Sequence, residues 1–228
     1  MNCSAIRSLT WFVILGAMTS GLGAPVVAGD EWKAGTAMTP ITPKEPMWMA
    51  GYGARNHPSE GVVHDLWAKA LAFQDPSGQK AVIVTLDVCG IDRDLSNIIR
   101  DAIESRLGLK REQIVLATSH THSGPVVGRN LYTMYPLDDV QKEKVRDYTR
   151  FFAETVNLTV DRAFANMEIV KIGWGTGRAD FAVNRRNNGE GDFLARQEKL
   201  AVAGPTDHDV PVLRVQSLED KLLAVVFS

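Results

Sequence analysis

The sequence predicts an α/β fold, a layered sandwich in which a mixed sheet is flanked by helices. Short apolar runs bounded by turn residues, which are typical of strands, alternate along the chain with two stretches of helical periodicity. Such intermixing of strands and helices is typical of an α/β domain. The last residues, LLAVVFS, form an apolar strand pattern without a tail, so we expect a domain that is incomplete at its C-terminus.

Proline and glycine separate the first predicted strands. Residues 34–43 predict a short strand that prolines end, and residues 47–53 predict a glycine-punctuated loop or short strand. Residues 66–74 and 80–87 have the apolar patterns of two further strands. Because Asp-Pro-Ser-Gly at 75–78 is a turn sequence, we expect these two strands to form a hairpin.

Two segments carry apolar residues at three- and four-residue spacing, which predicts helices. The first covers residues 94–107, and Gly108 suits its C-cap because glycine readily adopts the left-handed conformation. The second covers residues 138–166. Its apolar stripe consists of Val145, Tyr148, Phe152, Val156, Val160 and Ala163.

Four more strands are expected in the remaining sequence. Residues 113–118 predict a strand directly after the first helix, and residues 169–174 predict one after the second. A polar loop rich in glycine and asparagine extends to residue 191. Residues 210–215 and 222–227 predict a final hairpin.

The N-terminus has the layout of a secretory signal peptide. Arg7 precedes an apolar run at 9–22, and small or apolar residues lead up to Ala28. We therefore expect residues 1–28 to be removed and the protein to be exported, either to a periplasm or out of the cell. The alternative is a retained N-terminal anchor. Residues 29–228 would then form the folded part, which is enough chain for one domain.

Composition argues against nucleic acid as a partner and limits the roles that cysteine can have. The formal net charge is −2 and the isoelectric point is about 6.2, which argues against nucleic-acid binding. Only Cys89 remains after signal cleavage, so no disulfide can form within the folded part. Cys89 follows an apolar strand and suits a buried, inert thiol. A catalytic cysteine is the alternative.

Residues 114–125, IVLATSHTHSGP, contain the most informative motif of the chain. His120 and His122 follow a strand, and in extended backbone alternate side chains point to the same side. The two imidazoles can therefore converge, and imidazole is the commonest protein ligand for zinc. Ser123-Gly124-Pro125 then ends the strand. The alternative is a pair of ordinary loop histidines.

Other side chains qualify as site residues with less support. Asp87 ends a buried strand and suits a metal ligand, a group that orients a ligating histidine, or a turn aspartate. His64 and His208 are each candidate ligands or surface histidines. Arg185 and Arg186 offer planar forks for a carboxylate or oxyanion, although a solvated charge pair has the same pattern.

Several segments together resemble the neutral ceramidase family, specifically its N-terminal catalytic region. The resemblance covers nearly all of the mature part and is strongest at SHTHSGP, where Ser119 replaces the usual threonine. The glycine-punctuated form is most similar to smaller bacterial exported members. The matching segments are AGTAMTPITP at 34–43, MAGYGARN at 49–56, GVVHDLWAKALAF at 61–73, AVIVTLDVCGID at 81–92, IVLATSHTHSGP at 114–125, FAVNRR at 181–186 and DHDVPVLRV at 207–215.

The resemblance implies a zinc-dependent hydrolase that cleaves the N-acyl amide bond of ceramide or a similar lipid to a fatty acid and an amine. It implies that His120 is a zinc ligand, that His122 polarises the substrate or handles a proton, and that Arg185 faces the acyl end. The family's other ligands would lie beyond Ser228, so we expect this chain to be the N-terminal part of a longer catalytic domain and inactive alone. A lipid substrate also implies peripheral contact with a membrane.

Two alternatives to a ceramidase stay open. One is an exported metal-dependent hydrolase of a different substrate, such as a phosphoester or a cell-wall amide, because one fold and metal centre can serve several chemistries. The other is a secreted binding domain without catalysis.

Overall fold

The computed structural model describes residues 31–189, 191, 193–198 and 202–228; the predicted signal peptide lies outside them. The strands are β1 (Lys33–Pro40), β2 (Trp67–Gln74), β3 (Lys80–Leu86), β4 (Ile114–Thr118), β5 (Glu168–Arg178), β6 (Asp209–Ser217) and β7 (Leu222–Phe227). The helices are α1 (Arg93–Leu107), α2 (Asp139–Ala165) and the short α3 (Phe193–Glu198).

The strands form one seven-stranded sheet in the order β4-β3-β2-β1-β5-β6-β7. β3 and β4 run parallel because α1 connects them, and the other neighbouring pairs are antiparallel. The predicted mixed sheet with flanking helices is thereby confirmed. The parallel pair matters most for function, since the carboxyl ends of β3 and β4 meet at one edge.

Helix α1 begins at Arg93, one residue before its predicted start, and ends at Leu107 as predicted. The Asp92 side chain accepts a hydrogen bond from the Leu95 amide at 2.9 Å, which caps the first turn. At the other end Gly108 has a φ of 70°, and its amide donates to the Glu104 carbonyl. The apolar stripe of the helix is buried at Leu95, Ile99 and Ile103.

Helix α2 packs on β1 and β2, and α1 packs beside it. Its first turn is capped by Asp138, which accepts from the Gln141 amide at 2.7 Å. Near its end the helix lies very close to β1. A Cβ at Gly35 would lie 2.1 Å from the Ala163 carbonyl oxygen, so this contact requires glycine.

Apolar side chains lie on both faces of the sheet. On β2, Ala70 and Ala72 belong to the large core beneath the helices, whereas Leu71 belongs to a smaller cluster with Val170 and Val215. This division follows from the alternation of side chains along a strand. In the described part of the chain, no helix is both long enough and apolar enough to cross a membrane.

Two strand boundaries differ from the prediction by three or more residues. β1 ends at Pro40 rather than at residue 43. β5 extends to Arg178 rather than stopping at Trp174, because its glycine-rich end pairs in register with β6, for example Gly175 with Val212. Segment 47–53 forms no strand, only a single bridge between Met49 and Pro125. Tertiary pairing overrides local composition in these cases.

Candidate metal centre

The candidate site lies where β3 and β4 end side by side. Their register places Leu86 opposite Thr118, and the Ser119 amide donates to the Leu86 carbonyl at 3.0 Å. The segments that follow these strands therefore meet, and they carry Cys89 and His120. This is the sheet edge at which α/β proteins usually build their sites.

The two histidine rings converge, but the predicted extended backbone is wrong at His120. His120 has a φ of 55°, in the left-handed region that non-glycine residues rarely adopt. The ring centroids of His120 and His122 nevertheless lie 4.9 Å apart, edge to face. Backbone conformations of this kind cost about 1–3 kcal/mol and persist only where surrounding contacts enforce them, often at functional sites.

A hydrogen bond to the backbone fixes the His120 ring. Its Nδ1 lies 2.7 Å from the Cys89 carbonyl oxygen, which can only accept, so the proton is on Nδ1. The Nε2 lone pair is then left to bind a metal. Metal-binding histidines commonly use the other ring nitrogen in this way, which sets the tautomer and the orientation of the ring.

The Cys89 side chain lies beside the same histidine. It is 2% exposed, and its Sγ is 3.7 Å from His120 Nδ1. Burial raises the pKa of the Cys89 thiol, so the protonated form dominates at neutral pH. The predicted burial of this cysteine is confirmed.

His122 is held by a loop that the sequence analysis did not assign to the site. Tyr52 packs edge-on against the His122 ring, with centroids 4.9 Å apart. Gly51 lies directly under that ring at a φ of 101°, and a Cβ there would lie 2.3 Å from His122 Cγ. The Gly51 amide donates to the Tyr135 hydroxyl at 3.0 Å. The available signal was the glycine-punctuated segment 49–53.

The two loops are also joined through their backbones. The Ala50 amide donates to the Gly124 carbonyl at 2.8 Å, and the Val126 amide donates to the Trp48 carbonyl at 2.9 Å. Trp48 and Val126 belong to the large core. The histidine loop is therefore attached directly to buried structure.

A cleft of about 940 Å³ reaches this loop. Thr121 and Ser123, on either side of His122, line one part of it, and Met49 and Arg55 line another. The exposed segment 60–64 completes the wall. The cleft is large enough to accept part of an amphiphilic substrate.

The donor groups at this site fit a zinc ion. Among the described residues, ligand atoms of Cys89, His120 and His122 all lie within 4.8 Å of one another. Imidazole nitrogen is a ligand that zinc prefers, whereas the Cys89 thiol would have to lose its proton to become one. His120 is the best candidate for a zinc ligand, because its Nδ1 is already hydrogen-bonded to the Cys89 carbonyl and its Nε2 is available to a metal.

Asp87 and His64 lie near this edge of the sheet with other contacts. Asp87 Oδ2 accepts from the Trp67 amide at 3.0 Å, which ties the end of β3 to the start of β2. His64 is exposed, lines the cleft, and has its Nδ1 3.0 Å from the Asp65 carbonyl oxygen. As metal ligands, both stay predictions.

Arg185 lies in an exposed turn in a different part of the chain. The Asn184 side chain organises this turn by accepting from the amides of Arg186 and Asn187, at 3.1 and 3.2 Å. Further along the chain, His208 Nδ1 lies 3.0 Å from the Ala179 carbonyl oxygen. The predicted role of Arg185 at the acyl end of a substrate stays a prediction.

Comparison with known proteins places the chain in a family. The family model described as "Neutral/alkaline non-lysosomal ceramidase, N-terminal" matches residues 32–227. The chain belongs to this ceramidase family. The resemblance predicted from the SHTHSGP segment and its neighbours is thereby confirmed, and the family is one of hydrolases.

Individual ceramidases are distant relatives. Neutral ceramidase of Pseudomonas aeruginosa is 24% identical over 220 residues, which cover 94% of this chain and 32% of the relative. Neutral ceramidase A of Dictyostelium discoideum is 29% identical over 112 residues, covering 47% of this chain and 16% of the relative. The chain thus spans about a third or less of the length of the curated relatives it matches.

Solved structures show the same fold. The crystal structure of the Pseudomonas aeruginosa enzyme superposes with a TM-score of 0.68 at 22% identity, covering 88% of this chain and 32% of that chain. A ceramidase complexed with C2 superposes with a TM-score of 0.66 at 19% identity, covering 87% of this chain and 31% of that chain.

Proposed function

We propose that this chain is the histidine-bearing part of an exported, zinc-dependent hydrolase. The enzyme would cleave the N-acyl amide bond of ceramide or a similar lipid to a fatty acid and an amine. The observation that carries the proposal is the His120 ring, whose Nδ1 is fixed by the Cys89 carbonyl in a chain of the ceramidase family. The comparable protein from Pseudomonas aeruginosa is named a neutral ceramidase.

Three residues of this chain would have separate roles in the reaction. A zinc ion, when bound, lowers the pKa of a water molecule towards neutrality and polarises the amide carbonyl. His120 would hold that ion through Nε2. His122, whose ring centroid lies 4.9 Å from that of His120, would share a proton with the reacting groups or donate to the carbonyl oxygen. Tyr52 and Gly51 keep its ring in place. Arg185 would bind the acyl end.

We further propose that this chain alone is inactive. A catalytic zinc usually takes three protein ligands and keeps one position for water. His120 and His122 supply at most two, and a buried Cys89 thiol with a raised pKa is a poor third. Activity is therefore to be tested in the longest natural polypeptide that contains these residues.

The test compares His120→Ala with the unmodified polypeptide. We expect about one zinc per chain before the change and almost none after it, with hydrolysis of a short-chain ceramide lowered about a thousandfold or more. His57→Ala is the matched control. His57 Nδ1 also lies near a backbone carbonyl, that of Pro58, but this histidine is exposed and outside the metal group.

Three results would count against the proposal. Undiminished hydrolysis by the His120→Ala variant would show that His120 is not a ligand of a catalytic zinc. Zinc-dependent hydrolysis of a phosphoester or a cell-wall amide, by a protein that leaves ceramide intact, would favour a different substrate. Lipid binding without zinc and without hydrolysis would favour a secreted binding domain.

A further inference from the structure

Arg55 is connected to the histidine pair through a row of rings that pack edge to face. Its guanidinium carbon lies 5.9 Å from the centroid of the Tyr52 ring. The same tyrosine packs edge-on against His122, which in turn packs against His120. Arginine placed over an aromatic ring is oriented by that contact, because the planar cation is attracted to the face of the ring.

One nitrogen of the half-buried Arg55 side chain has no polar partner. Its Nε is buried and has no hydrogen-bond partner within the described structure. Within the same residues, no carboxylate lies within ion-pair distance of its guanidinium, whereas eight other ion pairs do form. A buried donor left unpaired is unfavourable and rare in native proteins, so this nitrogen calls for an explanation, and a functional role is one.

Arg55 lines the cleft of about 940 Å³ that reaches the histidine loop. The cleft walls also carry Lys44, Glu45 and Glu60, so the formal charges of the lining arginine, lysine and glutamates balance. Glu45 already lies 3.7 Å from Lys144. Net charge therefore does not distinguish an anionic ligand in this cleft, so any preference for one has to come from the oriented guanidinium of Arg55.

The same cleft has an apolar side. Val62 and Val63 are 62% and 100% exposed, and Met49 lies among the lining residues. Apolar side chains exposed to this extent suit the hydrocarbon part of an amphiphile. The cleft thus offers both an apolar rim and a planar cation close to the proposed catalytic residues.

We propose that Arg55 is a substrate-binding residue, and that it selects N-acyl amides that carry a carboxylate, such as N-acyl amino acids, over neutral amides such as ceramide. The planar guanidinium fork matches the two oxygens of a carboxylate through two parallel, charge-assisted hydrogen bonds, whereas a hydroxyl offers a single uncharged oxygen. This inference rests on the proposed amide-hydrolysing function and specifies its substrate class.

Binding to the full chain, kept zinc-free by a chelator, tests the inference without turnover. We expect N-dodecanoylglycine to bind at least about tenfold more tightly than N-dodecanoylethanolamine, since a charge-assisted hydrogen bond contributes about that factor. Arg55→Gln should abolish this preference, and Arg55→Lys should retain part of it. Calorimetric titration below the critical micelle concentration measures each affinity.

Arg150→Gln is the matched control. Arg150 is an exposed arginine on α2 that pairs with Asp147, and its loss should leave the preference for the acylglycine unchanged. A weakening of both ligands by the same factor in Arg55→Gln would show a structural role and overturn the inference. Dodecanoate binding as tightly as N-dodecanoylglycine would also overturn it, because Arg55 would then bind the released fatty acid.

The outcome is separable from that of the proposed function. Binding is measured without zinc and without hydrolysis, so an inactive full-length protein would refute the hydrolase while leaving the selection by Arg55 intact. Conversely, hydrolysis of ceramide with no preference for the acylglycine would leave the hydrolase and refute the selection.

Discussion

Two loops carry the predicted catalytic side chains, and they are held in different ways. The histidine loop, 119–125, is fixed by other elements, because His120 bonds to Cys89 and His122 packs on Gly51. The loop around Arg185 is fixed mainly by its own amide side chains. Asn188, only 2% exposed, donates to the Asn184 and Ala203 carbonyls at 2.7 and 2.8 Å.

The difference shows which residues each loop depends on. Placement of the histidines depends on residues about 30 to 70 positions away in sequence, so a change outside the motif should disrupt them. The Arg185 turn depends on asparagines within a few positions and should form with little help from the core. Substitutions that remove one kind of support test this distinction.

The largest effect is expected from Gly51→Ala. The new Cβ would lie 2.3 Å from His122 Cγ, and the φ of 101° is unfavourable for alanine, so the ring must move. A displacement of about 1 Å can lower a rate about 100-fold. We expect hydrolysis in the longest natural polypeptide to fall by at least that factor, measured as kcat/KM.

Gly61→Ala is the control for Gly51→Ala. A Cβ at Gly61 has no heavy atom within 4 Å, although this glycine lines the cleft that reaches the histidine loop. The kcat/KM of the Gly61→Ala variant should stay within about twofold of that of the unmodified enzyme. Equal losses in the two variants would mean that the contact between Gly51 and His122 does not position the ring.

Asn188→Ala should have the next largest effect, confined to the second loop. It removes two donated hydrogen bonds and one accepted from the Ala203 amide at 3.0 Å, so backbone groups of Asn184 and Ala203 lose these partners. We expect a loss of about 2–3 kcal/mol in the local opening free energy, measured by hydrogen exchange of this loop. Zinc binding should not change. The exposed neighbour Asn187, changed to alanine, should have little effect.

The same two loops show what the sequence could predict. Periodicity and turn residues predicted α1, α2 and the strands that lead to His120, because those patterns depend on local spacing. The left-handed backbone of His120 and the contact between Gly51 and His122 arise from packing between distant segments, which spacing does not encode. Arg55 was missed for the same reason, since its signal is an unpaired buried nitrogen.

A smaller effect is expected from Asp87→Ala, which separates a structural carboxylate from a metal ligand. Removing the carboxylate leaves the Trp67 amide without its acceptor at the start of β2, which should lower the free energy of unfolding by about 1–2 kcal/mol. Zinc content should stay near one per chain. Asp87→Asn, which keeps an acceptor oxygen, should recover most of the stability. Loss of zinc from both variants would instead indicate that Asp87 is a metal ligand.

Cys89→Ala should have the smallest effect, because the group that holds His120 is the Cys89 backbone carbonyl, which every substitution retains. Loss of one buried sulfur should lower the free energy of unfolding by about 1 kcal/mol. Zinc affinity, measured by competition with a chelating dye, should stay within about threefold, since the imidazole keeps its tautomer. A tenfold or larger loss of zinc affinity would indicate that the Cys89 thiol itself binds the metal. The site would then depend on the Cys89 side chain as well as on its backbone carbonyl.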